Sequence, residues 1–345
     1  MTTKILGHKR QIEFISSTIK QKNIPNAWLF YGSKGIGKAL LAKKVAQLLA
    51  SLNFKDKEII DKVSSRTLIE MDIKSDIQNI YYCQRRKEEN KDKKNKFINI
   101  DDIRKIQKSF SLASVDRSYR TCIIDSADDL NFQASNALLK ILEEPPEKTL
   151  FIIISNNIQS VLPTIASRCQ KMQFNNLDKS EMNELTDSIF ENKNIDIRKK
   201  EFLLKISNGS PGKISLLLDE EFLSVLMKIE SIISDFPIFD YDRIHTLIYE
   251  HPSYSTWEDD YRSILSIFLI FISNISYKLI EIKSSNTKIF DDIVVEKLNE
   301  IPDIQLLIAH LYSQLVFLRS EAQKFNFDPK KIIFLSFSLF EKLIK

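Results

Sequence analysis

Apolar positions along the first 175 residues alternate between two periods. From Gly7 to about Gln21, Ile12, Ile15 and Ile19 fall on one helical face. Ala27-Trp28-Leu29-Phe30-Tyr31 is an apolar run of strand length, after which Leu41, Val45, Leu48, Leu49 and Leu52 recur at helical spacing. Further strands are predicted at Leu68–Met71, Cys122–Asp125, Leu150–Ile154 and Lys171–Phe174. A helix from about Gln133 to Glu143, capped by Asn131 and stopped by Pro145-Pro146, lies between the strands at Cys122–Asp125 and Leu150–Ile154. Strands alternating with helices predict a parallel sheet with helices on its faces.

From about Asp178 the strand pattern stops. Residues 178–220 read as three short helices, the last opening at Gly209-Ser210-Pro211-Gly212-Lys213. Beyond Glu221 the chain reads as about five amphipathic helices, illustrated by Leu311, Leu315 and Leu318 within Leu306–Phe325. The fold class is therefore α/β followed by all-α, with domains expected at 1–177, 178–220 and 221–345. A chain of 345 residues exceeds the size at which one core keeps growing, which agrees with several domains.

Composition changes this picture little. Hydrophobic residues at 43% and charged residues at 28% are ordinary for a soluble globular protein. No apolar run approaches the roughly 20 residues that span a bilayer, and MTTKILGHKR has no signal-peptide core, so a cytoplasmic protein without membrane contact is expected. Cys83, Cys122 and Cys169 form no C-x-x-C pair, and the four histidines are scattered, so no metal site is expected. The net charge of +4 is unevenly placed: between Gln84 and Lys96 seven cations face three acids. That segment reads as a solvated insertion, with a contact to DNA phosphates as its other reading.

Chemistry concentrates at Gly32-Ser33-Lys34-Gly35-Ile36-Gly37-Lys38-Ala39, which follows an apolar strand and opens a helix. This is the phosphate-cradling pattern G-x-x-x-x-G-K, whose next residue is normally a Ser or Thr that ligates Mg²⁺. Ala39 has no oxygen to offer. The strand ending in Asp125 is followed by Ser126, where a second carboxylate would serve phosphoryl transfer. Gly32, Gly35, Gly37 and Lys38 are suited to a polyphosphate, yet the parts needed for hydrolysis are absent.

The stretch Asn136-Ala137-Leu138-Leu139-Lys140-Ile141-Leu142-Glu143-Glu144-Pro145-Pro146, the triplet Ser167-Arg168-Cys169 and the run NAWLFYGSKGIGK over Asn26–Lys38 together resemble the bacterial clamp-loader family of AAA+ proteins. Their order and spacing agree across roughly residues 5–215. The resemblance implies an AAA+ P-loop domain, a small helical lid domain and a helical collar that holds subunits together. Within the family, Ala39 and Ser126 resemble the non-hydrolysing delta-prime branch of DNA polymerase III rather than the gamma/tau motor branch, which carries Thr and Glu at those places.

That resemblance implies roles for single residues. Arg168 would act in trans, reaching the ATP of a neighbouring subunit as an arginine finger. Asn156 and Lys213 would stand at the sensor positions, and Asp125 at the place of a metal-holding acid. The plainer readings are a surface ion pair for Arg168, a strand-end carboxylate capping backbone N–H groups for Asp125, and a relic loop that stays empty. No cofactor is required, although ATP or ADP bound without hydrolysis fits the loop. Many relatives carry a four-cysteine zinc module after the loop helix, but residues 51–98 hold only Cys83, so no zinc is expected. The implied partners are gamma/tau-type ATPase subunits and a delta subunit in a hetero-pentameric ring, with sliding clamp and primer–template DNA reached through the assembly. The alternative is that the chain is itself an active motor-type ATPase.

Overall fold

In the computed structural model, residues 5–52, 54, 56–73, 79–85, 97–111, 119–192, 200, 203–204, 207–255, 263–281 and 292–342 are described. Most of the basic segment, residues 86–96, lies outside them. The chain forms two compact units: Met1–Asp187 with Gly209–Gly212, and Ser188–Asn208 with Lys213–Lys345. Among the described residues, no helix is long and apolar enough to cross a membrane.

The first unit holds, in chain order, α1 (Lys9–Lys20), β1 (Ala27–Tyr31), α2 (Lys38–Ser51), α3 (Lys57–Asp61), α4 (Ser65–Glu70), β2 (Ile80–Gln84) and α5 (Ile100–Ser111). It continues with β3 (Arg120–Asp125), α6 (Phe132–Glu143), β4 (Thr149–Ser155), α7 (Pro163–Ser167) and β5 (Gln170–Gln173). Helix α8 (Lys179–Asn192) runs from this unit into the next. The five strands are all parallel, in the order β2-β3-β4-β1-β5. β4 is buried along its whole length, as its unbroken apolar run requires of a strand covered on both faces. On one face Leu29, Cys122, Ile124, Phe151 and Ile153 pack with Phe110 of α5 and Leu138 and Ile141 of α6. Helix α2 packs against β2, β3 and β4.

One expected strand is a helix. Leu68–Met71 falls mostly in α4, because Ser64 and Thr67 form a capping box: Ser64 N–H donates to Thr67 Oγ1 at 3.2 Å, and Thr67 N–H returns to Ser64 Oγ. An apolar run this short does not set the period by itself, and the cap decides it. The edge strand is instead β2, whose Ile80-Tyr81-Tyr82-Cys83 is rich in strand-favouring residues. Asn131 does cap α6, accepting from Ala134 N–H at 2.7 Å.

The second unit is helical: α9 (Pro211–Leu217), which begins at the boundary, then α10 (Glu220–Ser234), α11 (Tyr241–Glu250), α12 (Ile264–Glu281), α13 (Asp292–Asn299), α14 (Ile304–Lys324) and α15 (Pro329–Glu341). Its core is aromatic. Phe268 and Phe337 lie 4.4 Å apart, Phe236 stacks on Phe340 at 4.8 Å, and Phe239 meets both Phe337 and Phe340. These rings join α12 and α15 to the segment after α10. Phe337 is fully buried, so Phe337→Ala is expected to cost about 3–5 kcal/mol. Urea unfolding of the two full chains measures this; a loss near zero would mean that the aromatic cluster does not hold the unit together.

Candidate functional site

The loop joining β1 to α2 has its carbonyls held one after another by the chain's own donors. Lys38 Nζ donates to Gly32 O at 2.6 Å and to Ser33 O at 2.7 Å. Ser210 Oγ donates to Lys34 O at 2.9 Å, and Gly212 N–H to Gly35 O at 2.9 Å. The His8 ring donates through Nε2–H to Ile36 O at 2.8 Å, which fixes its tautomer, since a carbonyl only accepts. Burial holds the imidazole below its usual pKa. What the loop can still offer a ligand is N–H groups, the donors that make glycine-rich turns anion-binding. Helix α2 begins at Gly37 without a side-chain cap, leaving its first turn open in the same sense.

The contact with the 209–212 segment depends on two glycines. A Cβ on Gly35, whose φ is +83°, would lie 2.5 Å from Ser210 Oγ, and one on Gly212 would lie 2.7 Å from Gly35 Cα. Neither position has room for a side chain, so backbone meets backbone there.

Lys38 is the centre of the site. Beyond the two carbonyls, its ammonium donates to Asn156 Oδ1 at 3.2 Å, which accounts for all three N–H donors. Burial lowers its pKa to about 8, against the opposing pull of Asp125 and Asp128. The structure thus brings Gly32, Lys38, Asp125 and Asn156 together at the C-terminal edge of the sheet.

Asp125 is used differently from the backbone cap expected of it. Its carboxylate accepts from the Tyr82 hydroxyl, a phenol supplied by the neighbouring strand β2. Burial, together with this bond, raises the Tyr82 pKa, and Lys43 Nζ sits 4.5 Å from the ring centroid. The capping carboxylate is Asp128, which sequence reasoning missed. It accepts from Asn156 N–H at 2.7 Å and Ser155 Oγ at 2.8 Å, and also from the hydroxyls of Ser126 and Ser160. Burial pushes its pKa up, but these four hydrogen bonds outweigh burial and hold the carboxyl below its ordinary value. Ser126, where a motor would carry an acid, is engaged structurally: its hydroxyl donates to Asp128 and accepts Asp128 N–H at 3.2 Å. The only signal in the sequence was three aspartates within five residues, with nothing to say which of them faces inward.

Residues 7–178 match the family model described as DNA polymerase III, delta subunit. Through that segment the chain belongs to the DNA polymerase III clamp-loader family. Its relatives include the DNA polymerase III subunit tau of Bacillus subtilis, 26% identical over 66% of this chain and 39% of that protein. The DNA polymerase III subunit gamma of Buchnera aphidicola (subspecies Baizongia pistaciae) is 26% identical over 64% of this chain and 57% of its own length. The matched region thus spans roughly half the length of these curated relatives. The fold is α/β followed by all-α: a parallel sheet with helices, then a helical unit.

The clamp-loader signatures meet at Arg168. This residue caps the C-terminus of α7, two residues before β5 begins at Gln170. In the register of β1 and β5, Trp28 lies beside Gln170 and Tyr31 beside Gln173. Arg168 therefore stands at the N-terminal edge of the sheet and the glycine loop at the opposite one, separated by about 13 Å of strand at roughly 3.3 Å per residue. Its guanidinium is exposed and paired: Nη2 donates to Glu143 Oε1 at 2.7 Å and Nη1 to Thr164 O at 3.1 Å. Lys213 belongs to the second unit, on α9, with its ammonium pKa lowered by burial.

Two outcomes test this description. Asp128→Asn removes the charge that four donors serve, and is expected to cost about 1.5–3 kcal/mol at pH 7. Because the folded pKa of Asp128 is depressed, that contribution is present above about pH 4 and is lost as pH falls through the folded value. Urea titrations of both chains at pH 7 and pH 3 should show the gap closing in acid. For Lys38 the slope has the same sign, but here it is the charged form that folding disfavours. With its folded pKa near 8 and an unfolded value of about 10.4, the unfolded chain holds more protons in between. Wild type should then gain stability relative to Lys38→Met as pH rises from 8 to 10. A pH-independent difference would mean that the ammonium is not desolvated.

Proposed function

We propose that this chain is a delta-prime-type, non-hydrolysing subunit of a DNA polymerase III clamp loader, and that Arg168 completes the ATP site of a neighbouring gamma/tau-type motor subunit. The observation that supports this reading is a glycine loop of phosphate-binding pattern beside which the groups for phosphoryl transfer are missing or engaged. Position 39 offers no oxygen for Mg²⁺, and the Ser126 hydroxyl is bound to Asp128. Phosphoryl transfer is mostly positioning and charge neutralisation by metal and cation, so without those parts there is little left to catalyse it. Gly32, Gly35, Gly37 and Lys38 would hold ATP or ADP by N–H groups and charge alone; Asp125 would take the place of the metal-holding acid, and Asn156 and Lys213 the two sensor positions. No metal is needed in this role.

The location of Arg168 supports a trans role, because the residue lies at the sheet edge opposite its own loop. A guanidinium is planar, always ionised and bidentate toward phosphate oxygens, which suits a finger. Residues 1–177 would form the AAA+ domain, 178–220 the lid and 221–345 the collar that joins a hetero-pentameric ring. Motor and delta-type subunits would be the direct partners. The sliding clamp and primer–template DNA would be reached through the assembly, in the cytoplasm.

A second reading is that the chain is itself a gamma/tau-type motor. It is favoured by the names of its relatives, tau and gamma subunits, and by retention of Lys38 and Asp125. Mg-ATP turnover separates the two, measured for the chain alone and then with gamma/tau-type and delta-type subunits, clamp and primed DNA. The expected result is no turnover alone. In the mixture, Arg168→Ala should lower turnover at the site it completes by about 10³-fold or more, while the complex still assembles in gel filtration. Turnover by the chain alone would establish the motor reading instead.

A further inference from the structure

The trans role requires Arg168 to leave its own surface, yet that surface is built to hold it. Arg168 ends α7, and Glu143, the last residue of α6, meets it across the gap between the two signatures. Helix C-termini carry partial negative charge and favour a cation. The last turn of α6 carries one cation, Lys140, but its final residue Glu143 and its cap Glu144 are both acids at the carbonyl end. The acid nearest the carbonyl end is thus placed where it meets Arg168 at 2.7 Å rather than where it favours its own helix. The side chain is also folded back, because Nη1 donates to the carbonyl of Thr164, four residues earlier on its own helix. Two of the five guanidinium N–H donors are thus engaged within the chain.

We infer that Glu143 is a counter-ion that parks Arg168 in the free chain and yields it only to the more negative triphosphate of the adjoining site. Glu143 thereby sets the nucleotide concentration at which the finger engages. This rests on the trans role of Arg168. The strength of the contact suits a threshold rather than a lock. Both side chains are exposed, Arg168 at 38% and Glu143 at 51%, and exposed ion pairs shift an equilibrium by only about two- to five-fold. A neighbouring phosphate, bidentate and multiply charged, outcompetes such a carboxylate.

Four clamp loaders reconstituted from full chains test it: wild type, Glu143→Gln, Arg168→Ala and the double variant. Glu143→Gln is expected to lower the half-saturating ATP about two- to five-fold at the same maximal rate, and Glu143→Asp to stay near wild type. In the Arg168→Ala background, Glu143→Gln should change nothing. In the free chain, phenylglyoxal, which modifies guanidinium groups, should label Arg168 faster in Glu143→Gln than in wild type. A fall in maximal rate for Glu143→Gln would overturn the proposal, because Glu143 would then present the finger rather than restrain it. A shift that persists without Arg168, or unchanged labelling, would also overturn it. If Arg168→Ala leaves turnover unchanged while Glu143→Gln still speeds labelling, the trans reading fails and takes the threshold with it, leaving only the ion pair.

Discussion

Strand direction is the constraint on which the rest of this molecule depends. In a parallel sheet every strand delivers its C-terminal residue to the same edge. The glycine loop after β1, Asp125 at the end of β3 and Asn156 after β4 therefore collect there, with β4 hydrogen-bonded directly beside β1. A residue that precedes a strand is delivered to the other edge, which is where Arg168 stands before β5. Ligands of open α/β sheets bind outside the carboxyl ends of the strands. One topological rule thus gathers the candidate site at one edge and delivers Arg168 to the other.

Within the gathered site, polar groups of the chain satisfy one another. A buried ammonium is costly unless its donors are used, and Lys38 uses all three on Gly32, Ser33 and Asn156. Asp128 binds both the Ser126 hydroxyl and the Asn156 backbone, so the two strand ends that would frame a reacting phosphate are braced together. The loop carbonyls bind His8 at the start of α1 and the 209–212 segment far along the chain, while Gly32 N–H donates to Ser155 O at 3.3 Å. The glycine loop is thus also the joint where distant parts of the first unit meet.

Local signals were legible where they were long or chemically unusual. The strand Ala27–Tyr31, the helix capped by Asn131 and the glycine loop could all be read directly, because period, cap and glycine spacing are properties of neighbouring residues. The short run Leu68–Met71 fits either period, with three apolar residues around Glu70, and the Ser64–Thr67 cap makes it helix. Ile80–Gln84 was missed because a short edge strand, half exposed, carries little periodic signal.

By itself the sequence determined the fold class, the resemblance to clamp loaders, and the absence of an oxygen at position 39. Each of these depends on residue identity and local spacing. Only the tertiary structure decided which side chain meets which: that Asp125 accepts a phenol from Tyr82, that Asp128 is the capping acid, and that Glu143 holds Arg168. The physical reason is distance along the chain. The Lys38–Asn156 contact joins residues 118 apart and the Ser210–Lys34 contact residues 176 apart, and such pairings arise only once the sheet has brought the strand ends to a common edge.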